Sequence, residues 1–294
     1  MALAGKRRLL KLIAAVYMIF SLPAVFYAGY KTIKGITLNY YDFHLENEIT
    51  GEGIDTLLVA HAGGALYGTG GEIIPYTNSL EAIEQNYQRG HRVFEIDFLL
   101  TKDGKLAAVH DWKLGKEMTQ AVWIGAPINE KWKSEKIYGK YTTLDIDDII
   151  TLMEKYRDIF IVTDTKETQK NIVTNQFMAI YKAAGQTNIE ILDRFIPQIY
   201  YPQMLKIIYD IYPFKNVIYT LYQSLQSDEE VVEFVKNHNS IYAVTMWPYR
   251  ATENFVNELT KLDKRVYVHT VNAFEEAYQI MKSGVSGLYT DYLY

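Results

Sequence analysis

The sequence predicts an α/β chain: a closed parallel (β/α)8 barrel of the TIM type, preceded by one N-terminal transmembrane helix. Three observations predict it. From residue 57 to the C-terminus, short apolar runs of strand length alternate with amphipathic stretches, giving eight strand positions separated by helices; such alternation folds as a parallel sheet, and eight repeats close it. Residues 12–30, LIAAVYMIFSLPAVFYAGY, carry no charge and approach the roughly 20 residues that cross a hydrocarbon core. The 294 residues, 49% hydrophobic, leave ample chain for a barrel of about 250 residues.

Taken in order, Lys6, Arg7, Arg8 and Lys11 precede the apolar run, while Lys31 and Lys34 follow it, which places the N-terminus in the cytoplasm. Phe26-Tyr27-Ala28 is too bulky for a signal-peptidase site, so an uncleaved anchor is expected, kinked at Pro23. The expected organisation is a basic tip and anchor over 1–35, a polar, aromatic-rich connector over 36–56, and a barrel over 57–294 on the outer side of the cell membrane.

Residues 57–61 (LLVAH) read as a buried strand running into a Gly-rich loop to residue 77, a rim of the site or a plain surface loop. Residues 78–90 form a helix that Asn78 or Ser79 can cap, with Leu80, Ile83 and Tyr87 on one face and Gly90 as its stop. Strand 93–101 follows, then 106–110 (LAAVH) as its hairpin partner or extension. The stretch 111–143, with Trp112, Trp123 and Trp132, is long for a loop and either shapes access to the site or forms a small packing subdomain. From Thr143 onward helices and strands alternate, the strands being 159–166, 194–200, 216–223, 241–247, 265–272 and 287–291.

The chemistry concentrates between residues 57 and 111. Side chains alternate along a strand, so Glu95 and Asp97 project to one side of an otherwise apolar run. Two adjacent carboxylates there repel and need a cation, and oxygen ligands suit a hard divalent one, Ca²⁺ or Mg²⁺. His61 and His110 each end a strand beside that pair, and imidazole takes and returns a proton near neutral pH. In a parallel barrel, groups at strand C-termini gather at one mouth; His61, His110, Glu95, Asp97, Asp164 and Lys166 all fall there. Gln198, Trp247, His269 and Asn272 end later strands, with His269 lining the pocket or packing in the core. His44, His91 and His238 have no such setting and are expected at the surface.

This stretch resembles the glycerophosphodiester phosphodiesterase family, whose pattern is matched in order by His61, Asn78-Ser79-Leu80-Glu81-Ala82, Gly90, Glu95-Ile96-Asp97, Thr101-Lys102-Asp103-Gly104 and His110-Asp111. The resemblance implies His61 and His110 as general acid and base, and Glu95 and Asp97 as metal ligands. It also implies a third ligand at Asp164, where the family usually has Glu two residues before a Lys, here Lys166. A second departure is Ala62-Gly63 after the first histidine, where the family usually carries an Arg for the substrate phosphate. An aromatic residue usually stands at the position of His269, and the family's insertion after the second histidine is short here.

Net charge of −5 and a pI near 5.7 argue against nucleic acid as a partner, and the absence of cysteine excludes disulfides and thiolate catalysis. The expected activity is metal-dependent hydrolysis of a glycerophosphodiester or related lipid-derived head group. A phospholipase C- or D-like activity on membrane lipids or glycerophosphate polymers would use the same residues. A membrane-anchored regulatory module of weak catalysis is the alternative from another class, suggested by the two departures.

Overall fold

The apolar runs fold as the strands of one closed sheet. In the computed structural model, which describes residues 58–294, the barrel strands are β1 (Leu58–Ala60), β4 (Val93–Leu100), β8 (Phe160–Asp164), β9 (Phe195–Ile199), β10 (Val217–Thr220), β11 (Ile241–Met246), β12 (Arg265–Val268) and β13 (Gly287–Thr290). Each is parallel to its neighbours in that order, and β13 pairs back onto β1. The anchor at 12–30, the connector at 36–56 and His44 lie outside the described residues; among the described residues no helix is long and apolar enough to cross a membrane.

The short strand at 106–110 is a hairpin partner. β5 (Leu106–Ala108) runs antiparallel to the far end of β4, with Phe98 opposite Ala108 and Leu100 opposite Leu106. Gly104, at φ +79°, makes the turn between them. After β1, the Gly-rich loop folds a small hairpin of β2 (Leu66–Tyr67) and β3 (Ile73–Ile74). Gly64 is obligatory there: a Cβ would lie 2.5 Å from the Asn86 side chain.

Helix α1 (Leu80–Gln88) is capped by Ser79, whose hydroxyl accepts from the Ala82 N–H; Asn78, the other expected cap, is used elsewhere. The stretch 111–143 holds α2 (Trp112–Thr119), α3 (Asn129–Ser134) and a hairpin of β6 (Lys136–Ile137) and β7 (Tyr141–Thr142). Its three tryptophans meet edge to face, and buried Trp132 donates from Nε1 to the Leu144 carbonyl at 2.8 Å. The base of this stretch is therefore a packing subdomain.

The covering helices follow from their sequences. Asp145 and Asp148 close a capping box on α4 (Ile146–Lys155), which buries Ile149, Ile150, Leu152 and Met153. α5 (Lys170–Gly185), α6 (Pro202–Tyr209), α7 (Asp228–Lys236), α8 (Glu253–Thr260) and α9 (Phe274–Lys282) complete the ring. His238 is half-buried against Phe234. His91 overturns its expectation of a surface position: it is buried, with Nε2 3.0 Å from the Leu293 carbonyl, because the last residues of the chain fold back over it.

Candidate active site

The barrel register assembles a cluster that sequence spacing only half specifies. Asp97 on β4 stands opposite Asp164 on β8, and Glu95 shares the face of Asp97, so three carboxylates from two strands meet. One oxygen from each of Glu95, Asp97 and Asp164 lies within 4.8 Å of the others, and all three residues are buried. Asn78 holds Asp97 twice, donating from Nδ2 to Oδ2 at 2.9 Å and accepting the Asp97 N–H at 3.0 Å. The Ala62 N–H donates to Glu95 Oε2 at 2.7 Å, from a residue in the left-handed region at φ +50°.

Lys166 places its ammonium 2.8 Å from Asp97 Oδ1 and 2.9 Å from Asp164 Oδ2. The buried Tyr200 hydroxyl also donates to Asp164. Burial opposes the charged forms of both Asp97 and Lys166, yet their mutual attraction prevails: the Asp97 carboxyl is held below its ordinary range and the Lys166 ammonium above its own. Glu95 goes the other way. Burial, then the neighbouring Asp97 charge, raises its pKa to about 8, and its Oε1 is buried without a hydrogen-bond partner.

Such a set fits a hard divalent cation. The donors are all oxygen, the buried Glu95 Oε1 has no partner, and the repulsion from Asp97 that helps raise the Glu95 pKa is what a cation there would relieve.

Two histidines flank the cluster. His61, directly after β1, has Nδ1 2.8 Å from Asp291 Oδ1, and its Nε2 is 3.9 Å from Glu95 Oε2. Burial alone would lower the His61 pKa, but the Asp291 hydrogen bond and the charges of Glu95 and Asp97 raise it to about 9. His110, after β5, has Nδ1 2.8 Å from Asp111 Oδ2. Each imidazole therefore has a carboxylate on one nitrogen, which fixes the ring and leaves the other nitrogen for chemistry.

Between the two rings stands Tyr76, edge-on to His61 at 4.9 Å and to His110 at 5.4 Å. Its hydroxyl makes no hydrogen bond among the described residues, and burial, then the charges of Asp291, Asp97 and Glu95, raises its pKa. All six residues expected from the sequence thus come together. Asp291, Tyr76 and Tyr200 were not among them. A carboxylate ending the last strand was a usable signal for Asp291, whereas Tyr76 lies in an aperiodic loop.

The strand-end candidates divide. Gln198 and His269 line the central cavity with His61, Glu95 and Asp164, while Trp247 packs on the His269 ring at 4.6 Å. Burial, with His61 adding to it, lowers the His269 pKa to about 4, and its buried Nε2 has no partner. Asn272 instead supports Asp291, donating to Oδ2 at 2.7 Å and accepting its N–H at 2.8 Å.

The glycerophosphoryl diester phosphodiesterase family matches residues 67–293. The chain belongs to that family. It is thus a phosphoric diester hydrolase by membership, with the family match beginning past His61. Solved structures agree on the fold. A glycerophosphodiester phosphodiesterase from Parabacteroides distasonis is 16% identical, with a TM-score of 0.64 over 81% of this chain and 93% of its own. A phosphodiesterase from Oleispira antarctica, in complex with the product sn-glycerol-3-phosphate, is 15% identical, with a TM-score of 0.63 over 81% of this chain and 94% of its own. The Thermotoga maritima glycerophosphodiester phosphodiesterase is 20% identical, with a TM-score of 0.56 over 81% of this chain and 95% of its own. No curated protein sequence matches this chain.

Proposed function

We propose that this chain hydrolyses glycerophosphodiesters or related lipid-derived head groups by two-histidine acid–base catalysis at a divalent-cation site. The observation that carries the reading is the pair of carboxylate-bound imidazoles, His61 with Asp291 and His110 with Asp111, flanking the buried cluster of Glu95, Asp97 and Asp164. Phosphodiester cleavage needs one group to take the proton of the nucleophile and another to protonate the leaving alkoxide, and these two rings supply both. A Ca²⁺ or Mg²⁺ ion held by the three carboxylates would neutralise phosphoryl oxygens and lower the pKa of a neighbouring hydroxyl.

The remaining residues bind and orient. Lys166 brings positive charge to the edge of the cluster, the service that family members draw from an Arg after the first histidine. The unpartnered Tyr76 hydroxyl is a donor for a phosphoryl oxygen, standing between the two imidazoles. The scheme serves either nucleophile, water or a neighbouring substrate hydroxyl that closes a cyclic phosphate. Residues 12–30 act in this reading as a single-pass anchor, with the N-terminus cytoplasmic and the barrel outside, supported by the uncharged run and its basic flank.

The test strips the purified full chain with EDTA and restores Ca²⁺, Mg²⁺ or Mn²⁺ in turn, following release from glycerophosphodiesters and from intact phospholipids, with His61→Ala and His110→Ala alongside. Turnover restored by metal and lost in both variants is the expected result. Full activity in His110→Ala would remove the two-histidine scheme, and no turnover from a folded, metal-binding chain would favour the regulatory module.

A further inference from the structure

Eight of the ten large apolar side chains exposed on the described residues lie on loops that follow barrel strands, at the catalytic mouth; Ile189 and Tyr278 are the exceptions. Single exposed apolar residues are ordinary on any surface, so it is their confinement to one end that needs a cause. The most prominent pair, Val122 at 94% and Ile124 at 100% exposure, tips the stretch between α2 and α3, and Leu225, at 102%, tips the loop after β10.

The tip at 122–124 is built to project. Trp123 turns inward and packs edge to face on Trp112 and Trp132, which drives the residues on either side of it outward. The tip also stands above the mouth. β4 continues from Asp97 to Leu100, roughly 10 Å at strand rise, before the turn at 101–105. The Lys102 N–H donates to the Pro127 carbonyl at 2.8 Å, and the Asn129 N–H to Asp103 Oδ1 at 2.9 Å, so the tip is hung from the top of that overhang.

We infer that this loop rim is a membrane-docking surface that seats the barrel mouth on a bilayer containing anionic lipid. Three features favour a bilayer over a protein partner. The prongs are fully exposed aliphatic side chains on two separate loops, Val122 and Ile124 on one and Leu225 on the other, the form that inserts among acyl chains, where a protein partner would meet a continuous packed face. Half-exposed Trp247 and more exposed Tyr249 follow β11, and their rings suit the headgroup layer. The stretch 111–142 carries more lysine than acid in a chain of net charge −5, and exposed Lys113 and Lys140 suit anionic headgroups. The surface is distinct from the anchor proposed at 12–30, and it does not depend on the catalytic reading. With both contacts made, the acidic cluster faces lipid head groups directly.

The chain has no cysteine, so single substitutions give unique labelling sites. Full-length Val122→Cys, Ile124→Cys and Leu225→Cys, with Ile189→Cys as the control away from the rim, carry an environment-sensitive fluorophore. Each is bound to vesicles of phosphatidylcholine with phosphatidylglycerol. The expected result is quenching by brominated lipid and loss of quenching by aqueous iodide at the three rim sites, with neither change at Ile189→Cys. A chain held on the vesicles whose rim labels all remain in water overturns the rim and leaves the anchor standing; the patch would then belong to a protein partner. A chain that stays in the supernatant overturns both.

Discussion

Asn78 shows how one side chain can fix the site. It donates to the Asp97 carboxylate and accepts the Asp97 backbone N–H, so it orients the acid and ties the loop after β3 to β4 at the same point. Asn78→Ala would leave a buried N–H without an acceptor, and the expected cost is about 1–3 kcal/mol in urea denaturation; if the cluster holds a divalent ion as proposed, calorimetry should also show that ion binding more weakly. Asp291 works on a different atom. Its carboxylate sets the His61 ring through Nδ1, and Asn272 in turn sets Asp291. Asp291→Asn keeps the shape and removes the charge, so kcat should fall by about 100-fold or more with KM little changed; a variant with wild-type kcat would show that His61 needs no orienting carboxylate. Tyr76→Phe keeps the ring between the imidazoles and deletes only its hydroxyl. If that hydroxyl binds a phosphoryl oxygen, kcat/KM should drop roughly 10- to 100-fold, the value of one hydrogen bond to a charged group.

At the scale of elements, the stretch between β5 and α4 depends on Trp132. Its ring is fully buried against Trp112 and Trp123, and its Nε1–H satisfies the Leu144 carbonyl just before α4. Trp132→Ala should cost about 3–5 kcal/mol, with a lower thermal midpoint by calorimetry; a change under 1 kcal/mol would mean that the stretch contributes little to the fold. Elements of this kind divide sharply in how well the sequence discloses them. The eight barrel strands and their helices follow from apolar runs and helical periodicity, and Glu95 and Asp97 follow from two-residue spacing on one strand, whereas Asp164 is reached only through the family resemblance. The two-residue strands β2, β3, β6 and β7 are too short to carry any period. Asp291 and His61 are neighbours only because β13 closes on β1, a contact between the two ends of the barrel that local patterning does not encode. His91 misleads for the same reason: a polar residue in a helix-to-strand turn reads as exposed until the C-terminal residues cover it.

That covering residue belongs to the closure of the whole molecule. β13 seals the barrel against β1, Asp291 reaches His61, and Leu293 then accepts from His91 beside β4, so the C-terminal residues bind the start of the barrel in successive places. Burial drives the His91 pKa down to about 4; the Leu293 carbonyl opposes that shift and the Arg89 and Arg92 charges add to it. An unfolded histidine titrates near 6.5. Between these two values the unfolded chain binds a proton that the folded chain refuses, so stability falls with pH across that window. Above pH 6.5 both states are neutral and the full stability is present; by pH 5 the loss from this one residue is about 2 kcal/mol, at 1.36 kcal/mol per pH unit. Other groups titrate in the same range, and the comparison that isolates His91 is with His91→Gln, whose amide can still donate to Leu293. Urea denaturation of both proteins at pH 7 and pH 5 should show the variant losing about 2 kcal/mol less over that interval. Equal losses would mean that the C-terminal cover opens to protonate His91 without unfolding the barrel, and hydrogen exchange at 287–293 would then rise as the pH falls.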